Sequence, residues 1–231
     1  MNKSLFVFKS SLLWLLLFLP VHAGAQVDYS IRTGINMSNQ IPHSGGLTGI
    51  QVGINIALEG EHFFNPYFGA GFGLSLNEKG ENWIDVNLAT NLQGIKRTQL
   101  YYAELPLMAL VKYAFEVGRN KIAFIGKAGF YFSDLIQGNA VLVFTDSSNK
   151  TVDISGQGLY EDSSGKLRIS PRVSPLDMGY TLGAEIRFNQ FGLGFRYQYG
   201  LTSIGYDEYY GPRRFNQTYG VDLRYIFSWG N

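Results

Sequence analysis

Apolar side chains alternate with polar or small ones in one segment after another from Val27 to the last residues of the chain. A period of two places the two sets on opposite faces of a β-strand. Most segments reach or exceed the roughly 9–11 residues that a tilted strand needs to cross a bilayer. The pattern therefore predicts eight strands, at about residues 27–38, 49–59, 68–77, 99–113, 121–133, 177–188, 191–199 and 218–229.

The connections between these segments alternate strictly between short and long. Residues 60–62, 116–120 and 189–190 are short, whereas the long or irregular connections are 40–46, 78–97, 134–174 and 202–216. Tight turns at one end, long loops at the other and an even strand count are typical of a membrane barrel with periplasmic turns and termini. Because lipid cannot satisfy an open sheet edge, the last strand must pair with the first. The predicted fold is all-β: a closed antiparallel eight-stranded transmembrane β-barrel of the up-and-down type.

The first 25 residues have the parts of a secretory signal peptide. Lys3 and Lys9 give a basic start, residues 12–19 form an apolar core, and residues 23–25 (Ala-Gly-Ala) provide small residues before the cleavage point. An uncleaved anchor helix is the alternative, but the core is too short to span a bilayer and Pro20 interrupts it. The sequence therefore predicts export and an outer-membrane localisation.

The remaining residues, 26–231, are predicted to form a single barrel domain without a linker or low-complexity tract. Removing Lys3 and Lys9 changes the formal net charge from +1 to −1, so no basic field indicates a nucleic-acid partner. The chain has no cysteine, which excludes disulfides and thiol chemistry. No segment after residue 25 approaches the roughly 20 apolar residues of a membrane-spanning helix.

A soluble eight-stranded barrel is the competing interpretation, because it would also have alternating strands and a signal peptide. Such a barrel would turn its apolar face inward and would need an exterior rich in Lys and Glu. Here the polar face consists largely of glycine with charges of both signs, which suits a crowded interior. Aromatic residues also gather at strand ends, as in interfacial girdles. The predicted girdles are Phe64, Tyr67, Tyr113, Phe115, Phe188, Phe191, Phe227 and Trp229 at the turns, and Tyr101, Phe132, Tyr180, Tyr199 and Tyr219 at the outer side.

The charged residues of the polar faces are predicted to fill the lumen. An eight-stranded interior is wide enough only for its own side chains, and buried charges need partners. The predicted network consists of Glu59, Glu104, Lys112, Lys127, Glu185, Arg187, Arg196, Asp222 and Arg224. A lumen packed in this way would not conduct, which leaves recognition to the external loops.

Two external loops are candidates for recognition. The third, of about forty residues, is long enough to extend a hairpin above the membrane. The fourth contains tyrosines and arginines, residue types that are enriched at binding hot spots. These tyrosines could equally extend the outer girdle, with the arginines against lipopolysaccharide phosphates, so both interpretations stay open. The candidate surface residues are Tyr206, Tyr209, Tyr210, Arg213 and Arg214.

Residues suited to catalysis or metal binding are scarce. A lipid-modifying enzyme of the outer membrane would use a histidine beside a serine and an acid. His43 precedes Ser44, but in a glycine-rich loop without a fixed acidic partner, and His62 falls in a predicted turn. Residues 146–149 are interpreted as a turn, because no cluster of His, Cys or carboxylate ligands accompanies them. We therefore predict no catalytic, cofactor or metal site, and a structural or loop-mediated binding role.

Several segments resemble one family. Besides the spaced glycines of the first strands, these are residues 102–107 (Tyr-Ala-Glu-Leu-Pro-Leu), 177–185 (Asp-x-Gly-x-x-x-Gly-x-Glu) and 196–201 (Arg-Tyr-x-Tyr-Gly-Leu). Together they are similar to the PorT-like outer-membrane β-barrel family of Bacteroidota, over essentially the whole mature chain. The resemblance implies a small barrel and, as a second possible function, an accessory role in type IX protein secretion.

An outer-membrane barrel would contact outer-membrane lipids and lipopolysaccharide. During biogenesis it would also meet the barrel-assembly machinery. The ending Tyr225-x-Phe227 is similar to the aromatic C-terminal signal which that machinery recognises in its clients. Any protein partner is expected at the external loops.

Overall fold

Every regular element is a β-strand in the computed structural model, which describes residues 27–42, 49–82, 92–144, 149–153, 158–161, 167–170, 174–204 and 214–228. Among these residues no helix has the length and apolar character that a membrane crossing requires. The strands are β1 (Asp28–Pro42), β2 (Gln51–Phe63), β3 (Phe68–Asn82), β4 (Leu92–Val117), β5 (Asn120–Phe144), β6 (Asn149–Asp153), β7 (Gly158–Glu161), β8 (Leu167–Ser170), β9 (Leu176–Phe188), β10 (Phe191–Gly200) and β11 (Arg214–Ser228).

Eight of these strands form a closed antiparallel ring in the order β1, β2, β3, β4, β5, β9, β10, β11. The ring closes along β1 and β11, which pair from Asp28 opposite Ser228 to Pro42 opposite Arg214. Closure leaves no open edge in the wall, as the lipid environment requires. The predicted eight-stranded barrel is therefore confirmed.

The two faces of the wall follow the alternation in the sequence. Ile54 is 69% exposed on the outside of β2, whereas its neighbour Asn55 is 2% exposed on the inside. Outward positions on the other strands are likewise mostly apolar, as in Leu182 of β9 and Leu223 of β11. An exterior of this kind is stable in lipid rather than in water, so the apolar-out assignment is confirmed.

Short turns gather at one end of the barrel, which we call the turn end, and the opposite end is the loop end. The turns are residues 64–67, Gly118–Arg119 and Asn189–Gln190, and Val27 and Ser228 lie at the same end. Asn189 has a φ of 52°, the left-handed conformation that a two-residue turn needs. The predicted alternation of short and long connections is confirmed.

One predicted turn, at residues 60–62, is wrong. β2 continues to Phe63, and the chain reverses at residues 64–67 instead. The side-chain oxygen of Asn65 accepts hydrogen bonds from the amides of Tyr67 and Phe68 at 2.9 and 2.8 Å, and Pro66 cannot donate to a ladder. The longer strand carries Glu61 into the barrel and places His62 in a strand.

Strands β4 and β5 extend beyond the barrel at the loop end. Pairing of β5 with β9 ends at Asp134 opposite Leu176, but pairing of β5 with β4 continues to Phe144 opposite Leu92. Ten more residues of β5 correspond to about 30 Å of strand. With β6 they form a sheet that we call the arm, made of residues 92–101, 135–144 and 149–153, in which residues 97–101 of β4 also pair with residues 78–82 of β3.

Three residues of the predicted outer girdle, Tyr180, Tyr199 and Tyr219, belong to an aromatic patch on β9, β10 and β11, and a fourth, Phe132 of β5, is 46% exposed. Tyr180 and Tyr199 stack with ring centroids 5.6 Å apart, and Tyr197 lies 5.1 Å from Tyr219. At the turn end, Phe64, Tyr67, Tyr113 and Phe191 are all more than half exposed, as expected for residues at a membrane interface. The predicted signal peptide, His43, residues 145–148 and Trp229 lie outside the described residues.

Candidate functional site: the polar lumen

Alternation along the strands turns charged side chains inward, where they form two clusters. The cluster nearer the turns, which we call the turn-end cluster, contains four cations and four carboxylates. Its members are Arg32, Lys127, Arg187 and Arg224 with Glu59, Glu61, Glu185 and Asp222. All eight side chains are less than a tenth exposed, so each charge depends on the others for its stabilisation.

Two carboxylates at the centre of the turn-end cluster each contact three cations. Glu61 lies 3.0 Å from the Nζ of Lys127 and 2.5 Å from nitrogens of both Arg187 and Arg224. Glu185 contacts the same three cations at 2.6, 2.5 and 3.2 Å. A second group surrounds Arg32, whose guanidinium reaches Glu59 at 2.8 Å, with Arg224 also contacting Glu59.

Side-chain amides and one ion pair, between Arg196 and Asp222 at 3.4 Å, connect this cluster to the second one. Asn36 accepts from Arg196 at 2.9 Å and from Asn55 at 3.2 Å, so it touches both halves of the lumen. Arg196 also donates to Gln198 at 2.8 Å, and Gln198 donates to a carboxylate oxygen of Glu104 at 2.5 Å. Polar contacts therefore run without a break from one cluster to the other.

The loop-end cluster is built around Lys79, whose side chain is completely buried. Its ammonium lies 3.1 Å from Glu104 and 3.5 Å from Asp177. It also lies over the rings of Tyr131 and Tyr102, 4.3 and 5.3 Å from their centroids, where cation–π attraction adds to the ion pairs. With Arg196, the cluster has two cations and two carboxylates, so both clusters are formally neutral.

Asp177 joins the loop-end cluster to the chain at the mouth of the barrel. Its carboxylate accepts from Asn216 at 2.8 Å and from the hydroxyl of Tyr131 at 3.2 Å. Beyond it, Arg214 forms a 2.5 Å ion pair with Glu81. Backbone bonds join residues 201–204 to Ser174 and Met178 on one side and to Arg214 on the other, and the side chain of Ile204 is 2% exposed.

At the turn end the lumen is filled by apolar side chains instead. Leu110 and Ile125 are almost completely buried, and Ala123 and Ile226 are less than a tenth exposed. Between the turn-end cluster and Thr181 and Arg196 lies a cavity of about 30 Å³, the volume of roughly one or two water molecules. Side chains thus fill the lumen from the turns to the mouth, and each cluster has equal numbers of cations and carboxylates, with one ion pair, Arg196 with Asp222, joining the two clusters.

Eight of the nine predicted lumen residues lie in these two clusters. They are Glu59, Glu104, Lys127, Glu185, Arg187, Arg196, Asp222 and Arg224. The ninth, Lys112, does not join an ion pair of the described clusters. Its ammonium lies over the ring of Phe63 at 3.7 Å, because its position opposite Ile125 sets it in the apolar layer at the turn end.

Among the predicted surface residues, the side chain of Arg214 does not face the outer surface as expected. Its guanidinium pairs with Glu81 at the mouth rather than standing free on the outer surface. Arg214 shares the inward face of β11 with Asn216 and Thr218, which are both buried. The remaining candidates, Tyr206, Tyr209, Tyr210 and Arg213, lie outside the described residues.

Several lumen residues were missed by sequence reasoning. Glu61, Lys79 and Glu81 continue the inward positions of Glu59 and Asn77, so the signal was present once the strands are extended. Arg32 and Asp177 lie on the polar faces of their predicted strands but are not among the predicted network residues. Tyr102 and Tyr131 are fully buried. The sequence pattern gives no signal for them, because it assigns aromatic residues to the lipid-facing side of the wall. The additional lumen residues are therefore Arg32, Glu61, Lys79, Glu81, Tyr102, Tyr131 and Asp177.

Comparison with solved structures finds small outer-membrane barrels at low sequence identity. The attachment invasion locus protein Ail of Yersinia pestis, solved with the heparin analogue sucrose octasulfate, is 14% identical, with 87% of this chain and 99% of that chain covered and a TM-score of 0.40. OprG of Pseudomonas aeruginosa is 13% identical, with coverages of 89% and 98% and a TM-score of 0.39. Neisserial surface protein A is 11% identical, with coverages of 86% and 97% and a TM-score of 0.37.

A search of the curated proteins finds no significant match. The family comparison is more direct, because a model described as outer membrane protein beta-barrel domain matches residues 22–205. That match includes all but one of the strands that form the closed ring. The chain therefore belongs to the outer membrane protein beta-barrel domain family and is an integral protein of the outer membrane.

Proposed function

We propose that this protein acts at the cell surface through chain outside the barrel, as a binding or structural protein without catalytic activity. The filled lumen supports this proposal. Two charge-balanced clusters and an apolar layer occupy the interior, which would have to be open for transport. In a small barrel whose interior is filled, the outer loops are the surface that can bind a partner.

The arm is the observation that carries the proposal. Its β4–β5 ladder continues for ten residues of β5 after β9 has left the sheet, and β6 adds a third strand. Backbone pairing of this extent gives an ordered platform above the barrel rather than an irregular loop. Thr151 on β6 and Gln137 on β5 are exposed there and are available to a partner.

The orientation of the barrel is part of the proposal. We infer that the turn end and both chain termini face the periplasm, and that the arm and mouth face outward. The supporting observation is the separation of three tight turns from the long connections, the arrangement typical of bacterial outer-membrane barrels.

An accessory role in type IX secretion is the second candidate, because of the resemblance to the PorT-like family. Tyr102, Glu104, Asp177 and Arg196, which belong to the resembling segments, all lie in or beside the loop-end cluster. Packing of the lumen therefore accounts for these residues without any contact with secretion machinery. Deleting the gene and comparing the secreted proteins would favour this candidate if specific proteins are retained in the cell.

Site-specific cross-linking in intact cells tests the surface role. Because the chain has no cysteine, a single Thr151→Cys or Tyr209→Cys variant carries a photoactivatable maleimide at that one position of the chain. We expect Thr151→Cys to react with a membrane-impermeant reagent and to give a discrete cross-linked product. The matched control is Leu193→Cys, 55% exposed on the lipid-facing side of β10.

The outcomes separate orientation from function. Labelling of Arg119→Cys, at a tight turn, before permeabilisation would reverse the proposed orientation. Identical products from Thr151→Cys and Leu193→Cys, or none from either external site, would contradict recognition by the arm and the fourth loop.

A further inference from the structure

The wall of the barrel has an interrupted seam between β2 and β3 near the loop end. β1 pairs with β2 along the whole of β2 except its last residues, but pairing of β2 with β3 stops at Asn55. Within the described residues, the two segments meet again at a single bridge between Gly49 and Asn82. Between these points, five residues (50–54) face four residues (78–81). The additional residue prevents a regular ladder, as a β-bulge does.

Side chains replace the missing ladder bonds. The hydroxyl of Ser38, which comes from β1, accepts from the amide of Gly80 at 2.9 Å and lies 3.2 Å from the carbonyl of Gly80. The amide of Ile54 donates to the carboxylate of Glu78 at 3.4 Å. Asn36 donates to the backbone carbonyl of Glu78 at 3.3 Å. Three side chains therefore bond to backbone groups that would otherwise pair with the neighbouring strand.

The seam is closed in spite of its missing ladder. The side-chain amide of Asn82 donates to the carbonyl of Ile50 at 2.7 Å. At Gly53 the two segments are so close that a Cβ would lie 2.6 Å from the backbone oxygen of Glu78. Gly53 is thus required by close approach, and the interruption is a sealed joint rather than a hole.

Two strands that are joined by side-chain hydrogen bonds separate more easily than two strands joined by a backbone ladder. Separating two laddered strands inside a membrane leaves backbone groups without partners, at a cost of several kcal/mol each. A side chain can instead rotate away one bond at a time. The seam between β9 and β10 has no such weak point, since it pairs from Phe188 opposite Phe191 to Gly179 opposite Gly200.

β3 is also loosely paired on its other side. Its ladder with β4 is interrupted at Gly73 and Leu74, which lie opposite Pro106 and Leu105. Pro106 has no amide to donate, which explains that second interruption. β3 is therefore tied to both neighbours less completely than β10 is.

We propose that the β2–β3 seam is where the barrel wall opens laterally toward the membrane, while the seams with continuous ladders stay closed. Opening moves residues 78–81 away from residues 50–54. It exposes to the membrane the buried amides of Asn36 and Asn77, which line the lumen at this level. The inference does not depend on the proposed surface role.

Amide exchange measured by NMR in lipid nanodiscs tests this directly. We expect the amides of Ile54 and Gly80, which bond to side chains, to exchange at least about tenfold faster than those of Leu182 and Tyr197, because local opening sets the exchange rate. Leu182 and Tyr197 face each other in the continuous β9–β10 ladder. Exchange of Ile54 and Gly80 as slow as that of Leu182 would overturn the proposal.

Two serine variants give a matched comparison. Ser38→Ala removes the hydroxyl that bridges to Gly80, and we expect exchange at Ile54 and Gly80 to rise a further several-fold. Ser133→Ala removes a buried hydroxyl bond of 2.8 Å to the carbonyl of Asp177, within the continuous β5–β9 ladder. Exchange in that ladder should stay unchanged. An equal rise in both seams, or a rise in neither, would contradict a special weakness at β2–β3.

A reversible cross-link provides the converse test and does not depend on how Ser38→Ala folds. Ile54→Cys with Glu78→Cys places two thiols at the first position beyond the last β2–β3 pair. Oxidation is expected to slow exchange at Gly80 to the rate of Leu182, and reduction to restore it. The control pair, Leu182→Cys with Tyr197→Cys, should leave Gly80 unchanged. No effect of the first disulfide on Gly80 would also overturn the proposal.

Discussion

Replacing Glu61 by alanine is expected to destabilise the barrel by about 3–5 kcal/mol, because removing one partner leaves buried charge uncompensated. Glu61 contacts Lys127, Arg187 and Arg224 at 2.5–3.0 Å, and its loss leaves four cations against three carboxylates in the turn-end cluster. Unfolding by urea in lipid vesicles, followed on unboiled SDS gels, gives the free energy. Glu116→Ala, which removes an exposed carboxylate at the turn end, is the control and should change stability by less than about 0.5 kcal/mol.

A double variant separates charge balance from lost packing. Glu61→Ala combined with Lys127→Ala removes more atoms than Glu61→Ala alone, but it restores equal numbers of cations and carboxylates. We therefore expect the double variant to be more stable than the single one. A loss equal to the sum of the two single losses would show that uncompensated charge is not the cause.

Leu182→Arg is the second change with a large expected effect, a loss of about 2–4 kcal/mol if the position lies near the bilayer midplane. Leu182 points outward from the middle of β9 and is 47% exposed, so the guanidinium would face lipid. Its neighbour Thr181 is 2% exposed inside the lumen, and Thr181→Ser should have a small effect. The same urea titration measures both, and equal losses would mean that the two faces of β9 are assigned the wrong way round.

The alternation of residues determines which side chains face the lumen, and this part of the fold could be predicted. Glu59, Glu185 and Arg224 are inward residues in the sequence pattern and in the structure. Strand ends were harder to predict. Glu61 falls in the predicted turn at residues 60–62, whereas the hydrogen bonds of Asn65 locate the turn four residues later.

The partners of the lumen charges could not be predicted from the sequence. Alternation gives the face of each residue but not its height in the barrel, which depends on the stagger of strands around the ring. Arg224 and Glu61 are 163 residues apart and meet only because β11 pairs with β1 and β1 with β2. The central position of Lys79 between two tyrosines depends in the same way on β4 and β5.

The arm could be predicted only as a long loop. Its strands contain register shifts near Leu92, Ile95 and Tyr101, and each shift moves the following side chains to the other face. The strictly alternating pattern that predicts β4 therefore begins only at about residue 99. The pairing of β4 with β5 across these shifts comes from the ladder that begins at their shared tight turn.

Conductance of the purified protein in planar bilayers is the most direct measurement of the closed lumen. Before insertion, unboiled and boiled samples should migrate differently on SDS gels, which establishes that the protein is folded. With its lumen filled by the two neutral clusters, the folded monomer should show no large steady conductance at any salt concentration. Stable, large and salt-dependent channels from the monomer would contradict a packed lumen and would place transport ahead of binding at the surface.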